Sequence, residues 1–165
     1  MNVSIKKFGF KYLEKSRRWM NDKELCRSFN RHFKFLTLNA QKVWYQKLLK
    51  DKTQIIFAIE VDGVYVGNVG LKNIDYQNKK AEYYIFVGDV NFRGKGVGQA
   101  ATKHFLSYIK KNTGLHKIYL HVEYTNLPAI KLYTKVGFVK EGILHDDICL
   151  NQKYVTMIHM AFFID

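Results

Sequence analysis

Val87-Gly88-Asp89-Val90-Asn91-Phe92-Arg93-Gly94-Lys95-Gly96-Val97-Gly98-Gln99 is the stretch on which the reading of this chain turns. A β-rich segment, Ala81–Val87, runs into a loop with glycines at 88, 94, 96 and 98. Beyond it, Gly96–Lys111 carries Val97, Ala101, Phe105 and Ile109 at a spacing of four, the signature of a helix with one buried face. Glycines let the backbone approach a ligand closely and permit positive φ. The first N–H groups of a helix have no intrahelical acceptor, and the helix dipole favours negative charge there. Arg93 and Lys95 add positive charge to the same loop. Together these features suit a pyrophosphate. The spacing is not G-x-G-x-x-G, and the preceding strands read as hairpins, so a Rossmann site is not indicated. No G-K-[ST] stands at Walker spacing.

Working outward, three segments before the loop read as an antiparallel meander: Gln54–Val61, Val64–Ile74 and Ala81–Val87. Asp62-Gly63 is a hairpin turn signal, and Tyr76–Lys80 is a polar turn. Upstream, Lys11–Cys26 reads as a helix that breaks near Asn21-Asp22. Asn39–Leu49 reads as a second helix, capped by Asn39, with Val43, Trp44 and Leu48 on one face. After the central helix, His116–Glu123 alternates as a strand. Pro128–Val136 is a short helix with proline in its first turn and Gly137 just past its end. Phe138–Leu150 and Lys153–Phe163 form a closing hairpin about Asn151-Gln152. The strand–helix–strand unit in the middle requires one parallel pair in an otherwise antiparallel sheet. The expected fold is therefore α/β (α+β): one domain over residues 1–165, a mixed sheet with helices on both faces.

Composition narrows the class. The 165 residues are 47% hydrophobic and 15% aromatic, enough for a packed core. The single proline, Pro128, lies inside an element, and there is no linker-like stretch. Cys26 and Cys149 lie far apart without metal-ligand spacing and read as reduced thiols; no metal site is expected. The N-terminal MNVSIKKFGF lacks a signal-peptide core, and no apolar run reaches membrane-spanning length. A cytoplasmic protein with no membrane partner is the expectation. The formal net charge of +13 points to anionic partners in general. Nucleic acid is a weak candidate, because no zinc-finger spacing or aromatic RNA-binding strand is present.

The glycine turn resembles the R/Q-x-x-G-x-G/A motif of the GNAT superfamily of acetyl-CoA-dependent N-acetyltransferases, through Arg93-Gly94-Lys95-Gly96-Val97-Gly98. A second block, Asn126-Leu127-Pro128-Ala129-Ile130-Lys131-Leu132-Tyr133-Thr134-Lys135-Val136-Gly137-Phe138, is similar to that family's N-x-x-A-x-x-x-Y-x-x-x-G-F segment. The resemblance implies acetyl-CoA as co-substrate, its pantetheine arm lying between strands that end near Val87 and Glu123. Backbone at Phe86 and Val87 would pair with that arm, and Asn126 would hydrogen-bond it. The amides of Gly94, Lys95, Gly96, Val97, Gly98 and Gln99 would hold the pyrophosphate. Tyr133 would act as general acid toward the leaving thiolate. For the base, His121 and Glu82 stand level and Glu123 follows; relatives in the family carry glutamate where His121 stands.

Arg18-Trp19-Met20-Asn21-Asp22-Lys23-Glu24-Leu25 resembles the branch that acetylates nucleotide amino sugars, ribosomal proteins and polyamines. Within that branch the likeness is to bacterial enzymes that acetylate the 4-amino group of UDP-linked deoxy amino sugars, and 27 basic residues against 14 acidic agree with an anionic acceptor, so such a sugar is the first expectation. A protein N-terminus is second, and an aminoglycoside or polyamine third. A homodimer, a basic nucleic-acid-binding module and a non-catalytic acyl-CoA-binding domain remain open alternatives.

Overall fold

A computed structural model describes residues 1–28 and 32–164. Its strands are β1 (Val3–Lys7), β2 (Ile55–Val61), β3 (Val64–Asp75), β4 (Lys80–Val87), β5 (Lys117–Glu123), β6 (Val139–Leu150) and β7 (Lys153–Phe163). The helices are α1 (Leu13–Met20), α2 (Lys23–Ser28), α3 (Leu38–Leu48), α4 (Val97–Asn112) and α5 (Leu127–Lys135). The strands form one sheet in the order β1-β2-β3-β4-β5-β7-β6. Only β4 and β5 run parallel; the other neighbours are antiparallel.

The expected mixed sheet with one parallel pair is thus present, with one addition. Val3–Lys7 was not read as a strand, yet it pairs with β2 from Val3↔Val61 to Lys7↔Phe57. Five residues with two apolar positions carry little period-two signal of their own; pairing with β2 supplies the order. The turn at Asp62-Gly63 has φ of 49° and 81°, the doubly left-handed geometry of a tight hairpin. Asn151 and Gln152 repeat it between β6 and β7.

Alternation sorts the side chains onto two faces. Phe57, Ile59, Val69, Leu71, Ala81 and Tyr83 pack with Val97, Ala101, Phe105 and Ile109 of α4, all of them buried. Each such large side chain contributes about 1.5–3 kcal/mol by leaving water. On the other face, Ile56, Ala58 and Tyr65 meet Phe8, Tyr12 and Leu13, with Trp19, Trp44, Tyr45 and Leu48 packed around them. The helices α1 and α3 therefore cover one side of the sheet, while α4 and α5 cover the other.

Two local expectations shift. The cap of α3 is Thr37, whose hydroxyl accepts from Ala40 N at 3.1 Å, so Asn39 lies inside the helix. The inward face of α3 is Gln41, Trp44 and Leu48, whereas Val43 is exposed. The break after Met20 is as expected: Asn21 ends α1, and Asp22 Oδ1 accepts from Glu24 N and Leu25 N to start α2.

Candidate active site

The parallel pair is short. Only Lys80↔Lys117, Ala81↔Ile118 and Glu82↔Tyr119 are in register; past them the strands diverge. β4 continues to Val87 against β3, and β5 continues to Glu123 against β7. Beyond that point the edges of Tyr84–Val87 and His121–Glu123 no longer pair with each other. Such edges can accept an extended chain that carries amides. Phe86 and Val87, expected to line this notch, stand at its rim, and Phe86 meets the Trp19 ring edge-on at 6.0 Å.

The glycine turn leaves the top of β4. Gly88 N and Asp89 N both donate to Val66 O, and Asp89 caps a single 3-10 turn at Val90–Phe92. Gly94 and Gly96 have φ of 70° and 79°, which disfavours other residues, and a Cβ on either would meet nothing within 4 Å. That open space lies before the N-terminus of α4, where Gly96 is the cap and no side chain covers the first N–H groups. The 16-residue α4 places the amides of Val97, Gly98 and Gln99 there. Arg93, expected to bring mobile positive charge to the phosphate, is tied to the loop. Its Nε donates to Val87 O at 2.9 Å and its Nη2 to Gly88 O at 3.2 Å, so it braces the loop. Lys95 is exposed and makes no ion pair among the described residues.

Asn126 and Tyr133 come from α5. Asn126 Oδ1 accepts from Ala129 N at 3.2 Å as the helix cap, which leaves both donors of its Nδ2 available. The helix ends in a glycine cap: Phe138 N donates to Tyr133 O and Gly137 N to Thr134 O, with Gly137 at φ 103°. The Tyr133 ring is wedged between Tyr83 and Phe138, with centroids 6.1 and 5.7 Å away. Its hydroxyl makes no hydrogen bond among the described residues and is not sealed from solvent. Burial of the ring pushes the phenol up to about 12, so it keeps its proton at neutral pH.

Glu82 and His121 emerge on the opposite face, since Ile118, Leu120 and Val122 of β5 point into the α4 side. The structure brings the two together, with Glu82 Oε1 3.9 Å from His121 Nδ1. Lys72 Nζ lies 3.0 Å from the same oxygen, and Asn73 Nδ2 donates to Oε2 at 2.9 Å. Burial would raise the Glu82 carboxyl, but His121, Lys72 and Asn73 outweigh it and hold it down to about 2. Glu123 stands apart: it accepts from Thr125 Oγ1 at 2.6 Å and lines a 280 Å³ cavity with Tyr124 and Tyr154. Two residues missed in the sequence join the group. His159 lies 2.9 Å from His121, and Glu141 lies 3.2 Å from His159. A separate 550 Å³ cavity between β1 and the end of α4 touches neither the glycine turn nor Tyr133. Among the described residues no three His, Cys, Asp or Glu side chains cluster to hold a metal, and no helix is long and apolar enough to cross a membrane.

Known proteins share this layout. The sequence matches the acetyltransferase (GNAT) domain family over residues 5–159. It is 34% identical over 119 residues to the spermidine N(1)-acetyltransferase of Escherichia coli strain K12, covering 72% of this chain and 63% of that one. A putative ribosomal N-acetyltransferase of Bacillus subtilis is 26% identical over 100 residues, 61% of this chain and 54% of that one. The chain thus aligns with less than two thirds of the length of either relative. The crystal structure of spermidine N-acetyltransferase from Vibrio cholerae in complex with CoA and spermine superposes with a TM-score of 0.91. The two are 25% identical, over 98% of this chain and 95% of that one. Since the family match spans residues 5–159, from β1 across the glycine turn and the splayed strands into β7, this chain belongs to the acetyltransferase (GNAT) domain family.

Proposed function

We propose that the chain transfers the acetyl group of acetyl-CoA to a primary amine, and that the acceptor is a small aliphatic polyamine. One observation carries the reading: the β4–β5 ladder stops after Glu82↔Tyr119, with Tyr133 on the α5 face of the sheet and Glu82 with His121 on the other. The residues fit acetyl-CoA. The edges of β4 and β5 that part after Glu82 and Tyr119 suit the amides of its arm, and the open space at Gly94 and Gly96 before uncapped amides suits its pyrophosphate. When bound, acetyl-CoA supplies a thioester activated for attack by nitrogen.

The chain's own groups do the rest. Tyr133, protonated at neutral pH, offers its proton to the departing sulfur. Glu82 is too acidic to take a proton from an amine at neutral pH; it stays charged and orients what lies beside it. That leaves His121, exposed at the notch edge, as the proton acceptor.

The polyamine reading reverses the order drawn from composition. It is supported by the names of the relatives from E. coli and V. cholerae and by the carboxylates of Glu82 and Glu141 beside His121 and His159. A nucleotide amino sugar is the second reading, favoured by Lys72 and Lys117 on that same side. Thiol release from acetyl-CoA, measured across spermidine, spermine, UDP-linked amino sugars, N-terminal peptides and aminoglycosides, ranks them. A kcat/KM for spermidine well above the others is the expected result. Preference for the nucleotide sugar would transfer the assignment, and no thiol release with any amine would end the acetyl-transfer reading.

A further inference from the structure

On the acceptor face four consecutive strands of the sheet each contribute one member to a contiguous row: Glu82 on β4, His121 on β5, His159 on β7 and Glu141 on β6. His121 and His159 are direct register partners, so their rings meet across the ladder, His121 Nε2 to His159 Nδ1 at 2.9 Å. The outer nitrogens each face a carboxylate: His121 Nδ1 lies 3.9 Å from Glu82, and His159 Nε2 lies 3.2 Å from Glu141. Each carboxylate is braced from behind, Glu82 by Lys72 and Asn73 of β3, and Glu141 by Lys117 of β5 at 2.6 Å. Tyr119 of β5 stacks on His159, with ring centroids 5.4 Å apart. His121 lies two residues beyond Tyr119, the last position paired with β4, and therefore at the edge of the notch.

Proton counting gives this row a capacity. The pair has four ring nitrogens, and one hydrogen lies between the rings. Two neutral imidazoles carry two protons, so one outer nitrogen is left bare beside a carboxylate. A third proton satisfies both carboxylates at once and gives the pair a single positive charge. Lys72 and Lys117 oppose that charge and keep the third proton exchangeable. Burial, then the neighbouring His121, lowers the proton affinity of His159, and Glu141 opposes that fall.

We propose that His121 and His159 act as one proton-accepting unit, in which His121 takes the proton shed by the attacking amine and His159, held by Glu141, is a positioning residue that shares the charge. This rests on the acetyl-transfer reading. As the N–C bond forms, the C–S bond breaks. Of the two protons an ammonium loses in all, one ends on the thiol by way of Tyr133 and the other passes through the imidazole pair to solvent.

Imidazole nitrogen and carbon resonances of the protein without acetyl-CoA, followed with pH, read the unit without any turnover. His121 and His159 are expected to move together and take up one proton between them; two independent titrations would overturn the proposal. His159→Asn keeps a hydrogen-bonding group beside His121 but cannot carry charge. It should lower kcat/KM by roughly tenfold or more, with KM for acetyl-CoA unchanged. A wild-type pH–rate profile in that variant would overturn the proposal as well. Glu141→Gln removes a charge that favours the loaded pair, so the acid limb of the profile should move to lower pH; an unmoved limb counts against it. Thermal melts verify that both variants fold. A protein that shows the joint titration but releases no thiol keeps the pair and loses the acetyl-transfer reading instead.

Discussion

Gly96 separates backbone strain from ligand contact, and Gly96→Ala tests the phosphate turn most directly. Gly96 sits at φ 79°, ψ 0°, in the left-handed region. A residue with a Cβ in that conformation costs about 1–2 kcal/mol. For a domain of this size each kcal/mol lowers Tm by about 2–4 °C, so the fall should be about 2–8 °C. The added methyl meets no protein atom within 4 Å and stands in the open space before the first amides of α4. Gly114 provides a matched control. It has φ 64°, an equally empty surround, and a place just past the far end of α4. Gly114→Ala should therefore show a similar loss of Tm and unchanged CoA affinity. In Gly96→Ala the methyl displaces the anion from charge-assisted hydrogen bonds worth about 1.5–3 kcal/mol each. Losing one weakens binding by roughly tenfold to a hundredfold, since 1.4 kcal/mol is a factor of ten. Calorimetric titration with CoA beside thermal melts of the three proteins reads both quantities. Equal CoA affinity in all three, with the two variants equally destabilised, would refute the assignment of the turn.

Tyr133→Phe should lower kcat by about a hundredfold while leaving CoA affinity nearly unchanged, as expected when a general acid is removed. Because the hydroxyl has no hydrogen-bond partner among the described residues, Tm should hardly move; intact turnover would take Tyr133 out of the chemistry. Glu82 makes stability depend on acid. Its folded value, about 2, lies below the ordinary 4.5, so its contribution is fully present above 4.5 and is lost as pH falls from there through about 2. Urea midpoints in that window should fall more steeply for the wild type than for Glu82→Gln, and parallel curves would show that Glu82 is not held by His121 and Lys72.

The elements that could be read from sequence are those fixed by neighbours along the chain. Asp62-Gly63 and Asn151-Gln152 carry their own turn chemistry, and the spacing from Val97 to Ile109 specifies the buried face of α4. The glycine turn and the Asn126–Phe138 helix were legible for the same reason. What escaped the sequence depends on distant partners. β1 becomes a strand only against β2. Arg93 looked like a phosphate ligand because its carbonyl acceptors at Val87 and Gly88 appear only once the loop has folded back. His159 stands 38 residues from His121, and nothing in the chain order says that β7, not β6, lies beside β5. Had that adjacency been known, alternation along Lys153–Phe163 would have aligned His159 with His121.

Whole-chain charge is a poor guide to the acceptor. A net charge of +13 sums every lysine, including those on surfaces far from the notch. At ordinary ionic strength charges farther than about 8–10 Å are largely screened, so an incoming amine responds to the groups it can nearly touch. Those groups are Glu82 and Glu141 with Lys72 and Lys117 behind them, together with two imidazoles. Two carboxylates and two ammonium groups cancel, which leaves a locally neutral patch whose sign is set by the imidazole pair. With the pair unloaded, the patch tolerates a cationic polyamine; once loaded, it repels the remaining ammonium groups and favours departure of the product. Polyamine KM should therefore rise as pH falls through the titration of the pair, whereas an anionic nucleotide sugar would bind more tightly over the same range. The direction of that change distinguishes the two acceptor classes through the protein's own charge.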